Sequence, residues 1–445
     1  MTKDRNSKSK GEYTFMRQVI KEPPRQTERI LKKIAAILVS GIAIGVIAAA
    51  TFVHVLPFFQ QDEPDSKIEF PDDTYTGEQQ GNQAGNQQDE NLNGNAEDNS
   101  NNNGEIDPNA QAVQPTNCPD KLTLDGFRQV YEEIVDVAEQ SERALVVVQG
   151  ITSEVDWMNN SYENKTQVSG ILVAENVANY YVLTEYRVAE NVERIMVTMS
   201  DGNTTLAEYV KHDPGTGLAV LKIAKKNLEE STKSRIAIAT LGSSWKIRRG
   251  ETVIAIGSPT GYSGSIAYGM VTSINNVKAT TDTQYHLLTT DISGDSEGSG
   301  VLISLDGEIV GVMVQSFFME KSQNVLTAIP ISEVKKTIEK LINNDELVYL
   351  GIVGQEITDD LSKNTQIPKG IYVNFVEQDS PAMQSGIQNG DVIVGIGDTN
   401  IRTLQELKAA LDFYSKGSKI SVNVLRRSAT DHYVQIVFDV TLGAL

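Results

Sequence analysis

Thr290-Asp291-Ile292-Ser293-Gly294-Asp295-Ser296-Glu297-Gly298-Ser299-Gly300-Val301-Leu302-Ile303 runs between two strand-like stretches through a loop of Gly, Ser and acids. Just downstream, Leu305-Asp306-Gly307-Glu308 joins Val301-Leu302-Ile303 to Ile309-Val310-Gly311-Val312-Met313. An Asp-Gly pair between β-branched runs signals a hairpin, because Gly supplies the positive φ of a tight turn. Upstream the same grammar repeats: Ala144-Leu145-Val146-Val147-Val148, Gly170-Ile171-Leu172-Val173, Tyr180-Tyr181-Val182-Leu183, Ile195-Met196-Val197-Thr198-Met199 and Thr252-Val253-Ile254-Ala255-Ile256. Many short strands at this spacing make a β-barrel or sandwich. Helices are expected over Leu122–Ser141, where Phe127, Val130, Ile134, Val135 and Val137 recur among acids, and over Ser332–Asn343.

A chain of 445 residues exceeds one core and implies two or three folded units. The formal net charge is −20, yet residues 1–33 are basic and end in Arg29, Lys32 and Lys33. The acidic bulk argues against a nucleic-acid partner. Ile34–Phe59 holds no Asp, Glu, Lys or Arg and suffices for a transmembrane helix of about 20 residues. The alternative is a signal peptide cleaved near Ala48-Ala49-Ala50, but the long basic lead and the apolar residues that follow favour a retained span. Basic residues before it and acidic ones after it put the N-terminus in the cytoplasm and residues 60–445 outside the cell membrane.

Residues 60–120 are rich in Asn, Gln, Asp, Glu and Gly, bury almost nothing, and read as a disordered linker. Cys118 is the only cysteine, so no internal disulfide forms, and it reads as a bystander beside that linker. His54, His212, His286 and His432 are scattered, no metal-ligand spacing occurs, and no cofactor is implied.

Three segments resemble the triad segments of the HtrA/DegP family of trypsin-fold serine proteases, membrane or envelope proteins with PDZ domains: the opening stretch, Thr184-Glu185-Tyr186-Arg187-Val188, and Asp213-Pro214-Gly215-Thr216-Gly217-Leu218-Ala219-Val220-Leu221-Lys222. The block Gly250-Glu251-Thr252-Val253-Ile254-Ala255-Ile256-Gly257-Ser258-Pro259-Thr260-Gly261 matches closely as well. Ser380-Pro381-Ala382-Met383-Gln384-Ser385-Gly386-Ile387-Gln388-Asn389-Gly390-Asp391-Val392-Ile393-Val394 is close to the PDZ segment in which a short helix ends at Gly and a Gly-Asp turn starts the next strand. The helix Thr403–Tyr414 and the strand Ile420–Arg426 follow in the family's order. The fold expected is therefore mostly β: a trypsin-like double β-barrel over 121–345 and an α+β PDZ domain over 346–445, behind the membrane helix and linker.

Acyl transfer by serine needs a nitrogen that accepts the hydroxyl proton, a carboxylate that orients that base, and N–H donors for the oxyanion. Where the family reads Leu-Thr-Asn-Asn-His-Val, Leu183, Thr184 and Val188 match but Arg187 stands at the histidine, and a guanidinium has no acceptor. Where it reads Asp-x-x-x-Asp-Leu-Ala-Val-Leu-Lys, Asp213 and Leu218–Lys222 match and Gly217 replaces the second aspartate. The nucleophile is Ser299 when aligned from Thr290-Asp291 and Gly298 when aligned back from Leu305-Asp306-Gly307. Asp295 and Glu297 add negative charge where an oxyanion would form. His212 is a neighbour in the wrong segment to serve as base. The site reads as a catalytically inactive serine protease homologue, with Arg187 expected to pair with Asp295 or Glu297.

By resemblance the PDZ domain takes C-terminal peptides or unfolded proteins, its loop Tyr349-Leu350-Gly351-Ile352 holding the carboxylate and Leu350, Ile352, Leu407 and Leu411 lining an apolar pocket. Envelope protein quality control and a homotrimer are further implications of the resemblance. The alternatives are an active endopeptidase using Ser299 with a non-standard base, and a structural scaffold or partner of an active homologue.

Overall fold

A computed structural model describes residues 67–71, 73, 123–155, 161–314, 317, 325–430 and 432–445. The basic segment 1–33, the membrane helix expected over 34–59, nearly all of the linker expected over 60–120, and Cys118 lie outside these residues. No helix among the described residues is long and apolar enough to cross a membrane.

Helix α1 (Leu124–Glu142) starts at Thr123, whose hydroxyl accepts from Gly126 N. It leads into β1 (Leu145–Val155), β2 (Ser161–Glu175), β3 (Asn179–Glu185), β4 (Arg194–Thr198), β5 (Thr204–His212) and β6 (Leu218–Ala224). These close an antiparallel barrel in the order β1-β2-β3-β6-β5-β4. After a single helical turn, α2 (Glu230–Lys233), a second barrel forms from β7 (Thr252–Ser258), β8 (Ser265–Thr280), β9 (Thr283–Ser293), β10 (Ser299–Ile303), β11 (Ile309–Val314) and β12 (Val325–Pro330), in the order β10-β11-β12-β9-β8-β7. The Asp306-Gly307 turn joins β10 to β11 with Gly307 at φ 77°.

A shared apolar cluster joins the barrels, with Leu183 and Leu218 from the first meeting Ile256, Val301 and Ile303 from the second. Onto it packs α3 (Ile331–Ile342), whose Ile331, Val334, Ile338 and Leu341 recur at helical spacing and are fully buried. Burying each contributes about 1.5–3 kcal/mol.

One expectation for the linker needs correction. Lys67–Pro71 and Asp73, inside the segment read as disordered, lie against α3. Ile68 and Phe70 pack on the barrel core. Ile68 exchanges two hydrogen bonds with the Asn343 amide (3.0 and 2.8 Å), Phe70 N donates to Glu339 (3.1 Å), and Asp73 takes Lys335 Nζ at 2.9 Å. Two apolar side chains with the backbone satisfied by α3 offset the ordering of so short a strip.

The C-terminal part has a small sheet of β13 (Val348–Tyr349) with β20 (Gly443–Ala444), and a larger one of β14 (Ile352–Ile357), β15 (Gly370–Val376), β16 (Val392–Ile396), β18 (Lys419–Arg427) and β19 (Tyr433–Thr441), with β17 (Thr399–Asn400) on β16. Helices α4 (Asp359–Thr365), α5 (Pro381–Ser385) and α6 (Leu404–Leu411) accompany them. Thr403 and Glu406 form a reciprocal capping box at α6. The Gly390-Asp391 turn is fixed by Arg426, whose guanidinium holds the buried Asp391 carboxylate through two hydrogen bonds (2.7 and 2.8 Å).

Candidate functional site

Arg187, Gly217 and Ser299 belong to three separate segments, and the fold brings those segments together where the barrels meet. The turn after β3 carries Arg187, and its Tyr186 N donates to Gly217 O at 2.7 Å. Gly217 has φ 76°, closing a turn in which Asp213 O accepts Gly217 N, while the Asp213 carboxylate takes Gly215 N and the Thr216 hydroxyl. That carboxylate is consumed by its own turn.

Ser299 opens β10 with only 1% of its surface exposed. Its Oγ accepts a hydrogen bond from Ser169 N of β2 at 2.9 Å, and Ser169 O accepts from the Thr184 hydroxyl at 3.2 Å. The serine is thereby hydrogen-bonded across to the first barrel, and none of its hydrogen bonds among the described residues is to a histidine. The following Gly300 has φ 127°, and a Cβ there would lie 2.2 Å from Ile256 O.

The loop before Ser299 is wound around Asp295. Glu297 N donates to Asp295 Oδ1 (2.8 Å), Gly298 N to Asp295 O (2.9 Å) and Asp295 N to Pro259 O (3.1 Å). Arg187 then clasps the loop: one guanidinium nitrogen pairs with the Glu297 carboxylate and another donates to Glu297 O at 3.0 Å. The Arg187 Nε donates to Glu185 at 2.9 Å. The expected ion pair is present, and Glu297 rather than Asp295 supplies it. Glu185, which bears the buried leg of the clasp, was not singled out from the sequence; it lies two residues before Arg187, and in a strand-like stretch it reads as any other acid.

His212 is engaged by two tyrosines. Its ring stacks on Tyr186 (centroids 3.6 Å apart, planes 5° from parallel), and its Nδ1 meets the Tyr209 hydroxyl at 2.5 Å. Burial lowers its pKa, only partly opposed by the nearby Asp213 and Glu190 charges.

In the C-terminal part Leu350, Ile352, Leu407 and Leu411 are buried together in one cluster, and Tyr349 pairs with Gly443. Gly351 has φ 96° and a Cβ there would meet Ser380 Cβ at 2.2 Å, so the close approach of that loop to α5 requires glycine. The N–H groups of Leu350, Gly351 and Ile352 converge on the carboxylate of Asp282, at the tip of the β8–β9 hairpin. Asp282 was missed in the sequence, where Thr281-Asp282 between β-branched residues signals only a turn. No group of His, Cys, Asp and Glu that could hold a metal occurs among the described residues.

Comparison with known proteins adds two matched domains in series: a trypsin-like peptidase domain over residues 168–312 and a PDZ domain over 348–434. The class is thus a trypsin-fold domain followed by a PDZ domain. The chain is 28% identical over 325 residues to the serine protease Do-like HtrB of Bacillus subtilis (strain 168), covering 67% of this chain and 69% of that protein. It is 32% identical over 284 residues to a probable periplasmic serine endoprotease DegP-like of Pseudomonas putida (strain W619), covering 62% of this chain and 56% of that protein. A solved structure of the HtrA-type protease AlgWS227A with decapeptide shares the fold, at TM-score 0.52 and 22% identity over 70% of this chain and 97% of that one. In domain order and in sequence the chain is similar to HtrA-type proteases.

Proposed function

We propose that this chain is a membrane-anchored, extracytoplasmic HtrA-family protein that does not cleave peptides and instead captures exposed C-termini or unfolded segments through its PDZ domain, in envelope protein quality control. One observation carries the inactive reading: the loop preceding Ser299 is folded on itself and held shut. Its Glu297 and Gly298 amides donate to Asp295, so neither is free to receive an oxyanion. Arg187 donates only, and its donors are engaged by Glu185 and Glu297. An unassisted serine hydroxyl is a weak nucleophile, and loss of triad members costs several powers of ten in rate.

The apolar stretch 34–59 with its basic lead supports anchoring, and the periplasmic assignment of the DegP-like relative supports the outward side. Assembly as a homotrimer is supported by an apolar face that a monomer leaves in water: Phe127, Val130 and Tyr131 of α1 stand exposed beside Tyr268, with the Tyr131 and Tyr268 rings 5.8 Å apart.

Casein digestion by the full chain, beside Ser299→Ala and with detergent present, tests the reading. No cleavage above the Ser299→Ala baseline is expected. Cleavage that disappears on Ser299→Ala would replace the reading with an endopeptidase using an unusual base.

A further inference from the structure

Asp282 sits at φ 58° on the hairpin tip, only 5% exposed, between the second barrel and the Tyr349–Ile352 loop. Its Oδ2 accepts Leu350 N at 2.6 Å and Gly351 N at 2.9 Å, and its Oδ1 accepts Gly351 N at 3.0 Å and Ile352 N at 2.9 Å. Its own N–H donates to Ile352 O at 2.7 Å. Three consecutive amides around one carboxylate, with a main-chain bond to the edge of β14, is the set of contacts a peptide's last residue makes when it joins a PDZ sheet edge. Beside the carboxylate lies a cavity of about 350 Å³ lined by Asp282, Tyr349, Glu377 and Leu411, so space for a ligand's final residues adjoins the filled loop.

We propose that Asp282 is an internal stand-in for a ligand's C-terminal carboxylate, so that the peptide-binding loop is filled from within and a peptide with a free C-terminus binds by displacing the β8–β9 tip. The proposal rests on the peptide-binding reading above. It sets the chemistry of the ligand: the displacing group must be an anion that can take all three amides, which a free carboxylate does and a C-terminal amide does not. It also sets the cost: the loop accepts ligand only in the fraction of molecules whose hairpin has left, and the apparent affinity falls by that fraction.

Two substitutions remove the stand-in and keep the turn, since Asn and Gly both tolerate the positive φ of position 282. Fluorescence anisotropy of the full chain in detergent, with a fluorescein-labelled decapeptide ending in three valines, compares the natural chain with Asp282→Asn and Asp282→Gly. Both variants are expected to bind the free acid tighter than the natural chain by on the order of tenfold or more, and none to bind the C-terminal amide. Thermal melting confirms that each variant is folded, and either variant alone suffices. Equal affinity of natural chain and folded variants for the acid overturns the stand-in while leaving peptide capture intact. Absence of binding by all three at millimolar peptide removes peptide capture and the stand-in with it.

Discussion

Two carboxylates leave the second barrel at either end of β9, and they do opposite things. Asp282, just before the strand, is buried and receives only N–H donors; Glu297, just beyond it, keeps 69% of its side chain exposed and meets a guanidinium. The buried one is held by geometry that the surrounding backbone dictates, while the exposed one is a solvated ion pair of the kind worth about 0–1 kcal/mol. The cleft is therefore kept shut less by the Glu297 ion pair than by what lies under it: Glu185, the Asp295 turn and the Ser169 amide on Ser299.

The contrast is sharpened first at Gly351. Gly351→Ala places a Cβ against Ser380 at a φ only glycine adopts readily, and should lower stability by on the order of 3 kcal/mol, read as a shift in the urea midpoint. A change below about 0.5 kcal/mol would mean the loop is free to move and that Asp282 does not sit in a fixed cradle.

Glu185→Gln comes next. It replaces the buried carboxylate under Arg187 with a neutral group of the same shape, and weakening a charged hydrogen bond there should cost about 2 kcal/mol. Urea denaturation of the variant beside Glu297→Gln separates the two legs of the clasp, and equal costs would erase the distinction between buried and exposed partners.

A pH effect follows from Asp282. Burial pushes its carboxyl up to about 6, against the pull of the three amides and with the Glu377 charge adding to the rise. The other charged groups lining the adjoining cavity are Asp213, Lys340, Lys408 and Asp412. Because the docked pKa lies above the ordinary 3.8, docking takes up a proton between those values. The closed hairpin is thus most favoured at low pH and loses that advantage as pH rises through 6. Affinity for the free-acid peptide should rise about tenfold between pH 5 and pH 7.5, and this rise should vanish in Asp282→Asn. A fall in affinity over that range would reverse the assignment.

The smallest effect is expected at Glu297. Glu297→Ala should change stability by less than about 1 kcal/mol and should leave casein uncleaved, since the Asp295 turn still holds the loop amides.

Sequence pattern was most legible where one local rule decides the structure. Gly307 announces the β10–β11 hairpin, and Gly386 with the Gly390-Asp391 turn carries the resemblance to the PDZ segment. The meeting of Arg187 with the loop before Ser299 was also foreseeable, because a cation at a partly shielded cleft needs an acid and Asp295 and Glu297 are the acids nearest Ser299 in that loop. Asp282 was not, since what makes it unusual is contributed by amides about 70 residues away in another domain. The placement of residues 67–71 was hidden for a similar reason: Ile68 and Phe70 are two apolar residues in a polar run, and their value comes from α3.

Activity-based labelling tests the inactive reading most directly. The full chain and Arg187→His, each treated with a fluorophosphonate probe and followed by intact mass, should both remain unlabelled at Ser299, because a lone imidazole would still lack an orienting carboxylate at Gly217 and the loop amides would still belong to Asp295. A stoichiometric adduct on Ser299 in the natural chain would contradict the account.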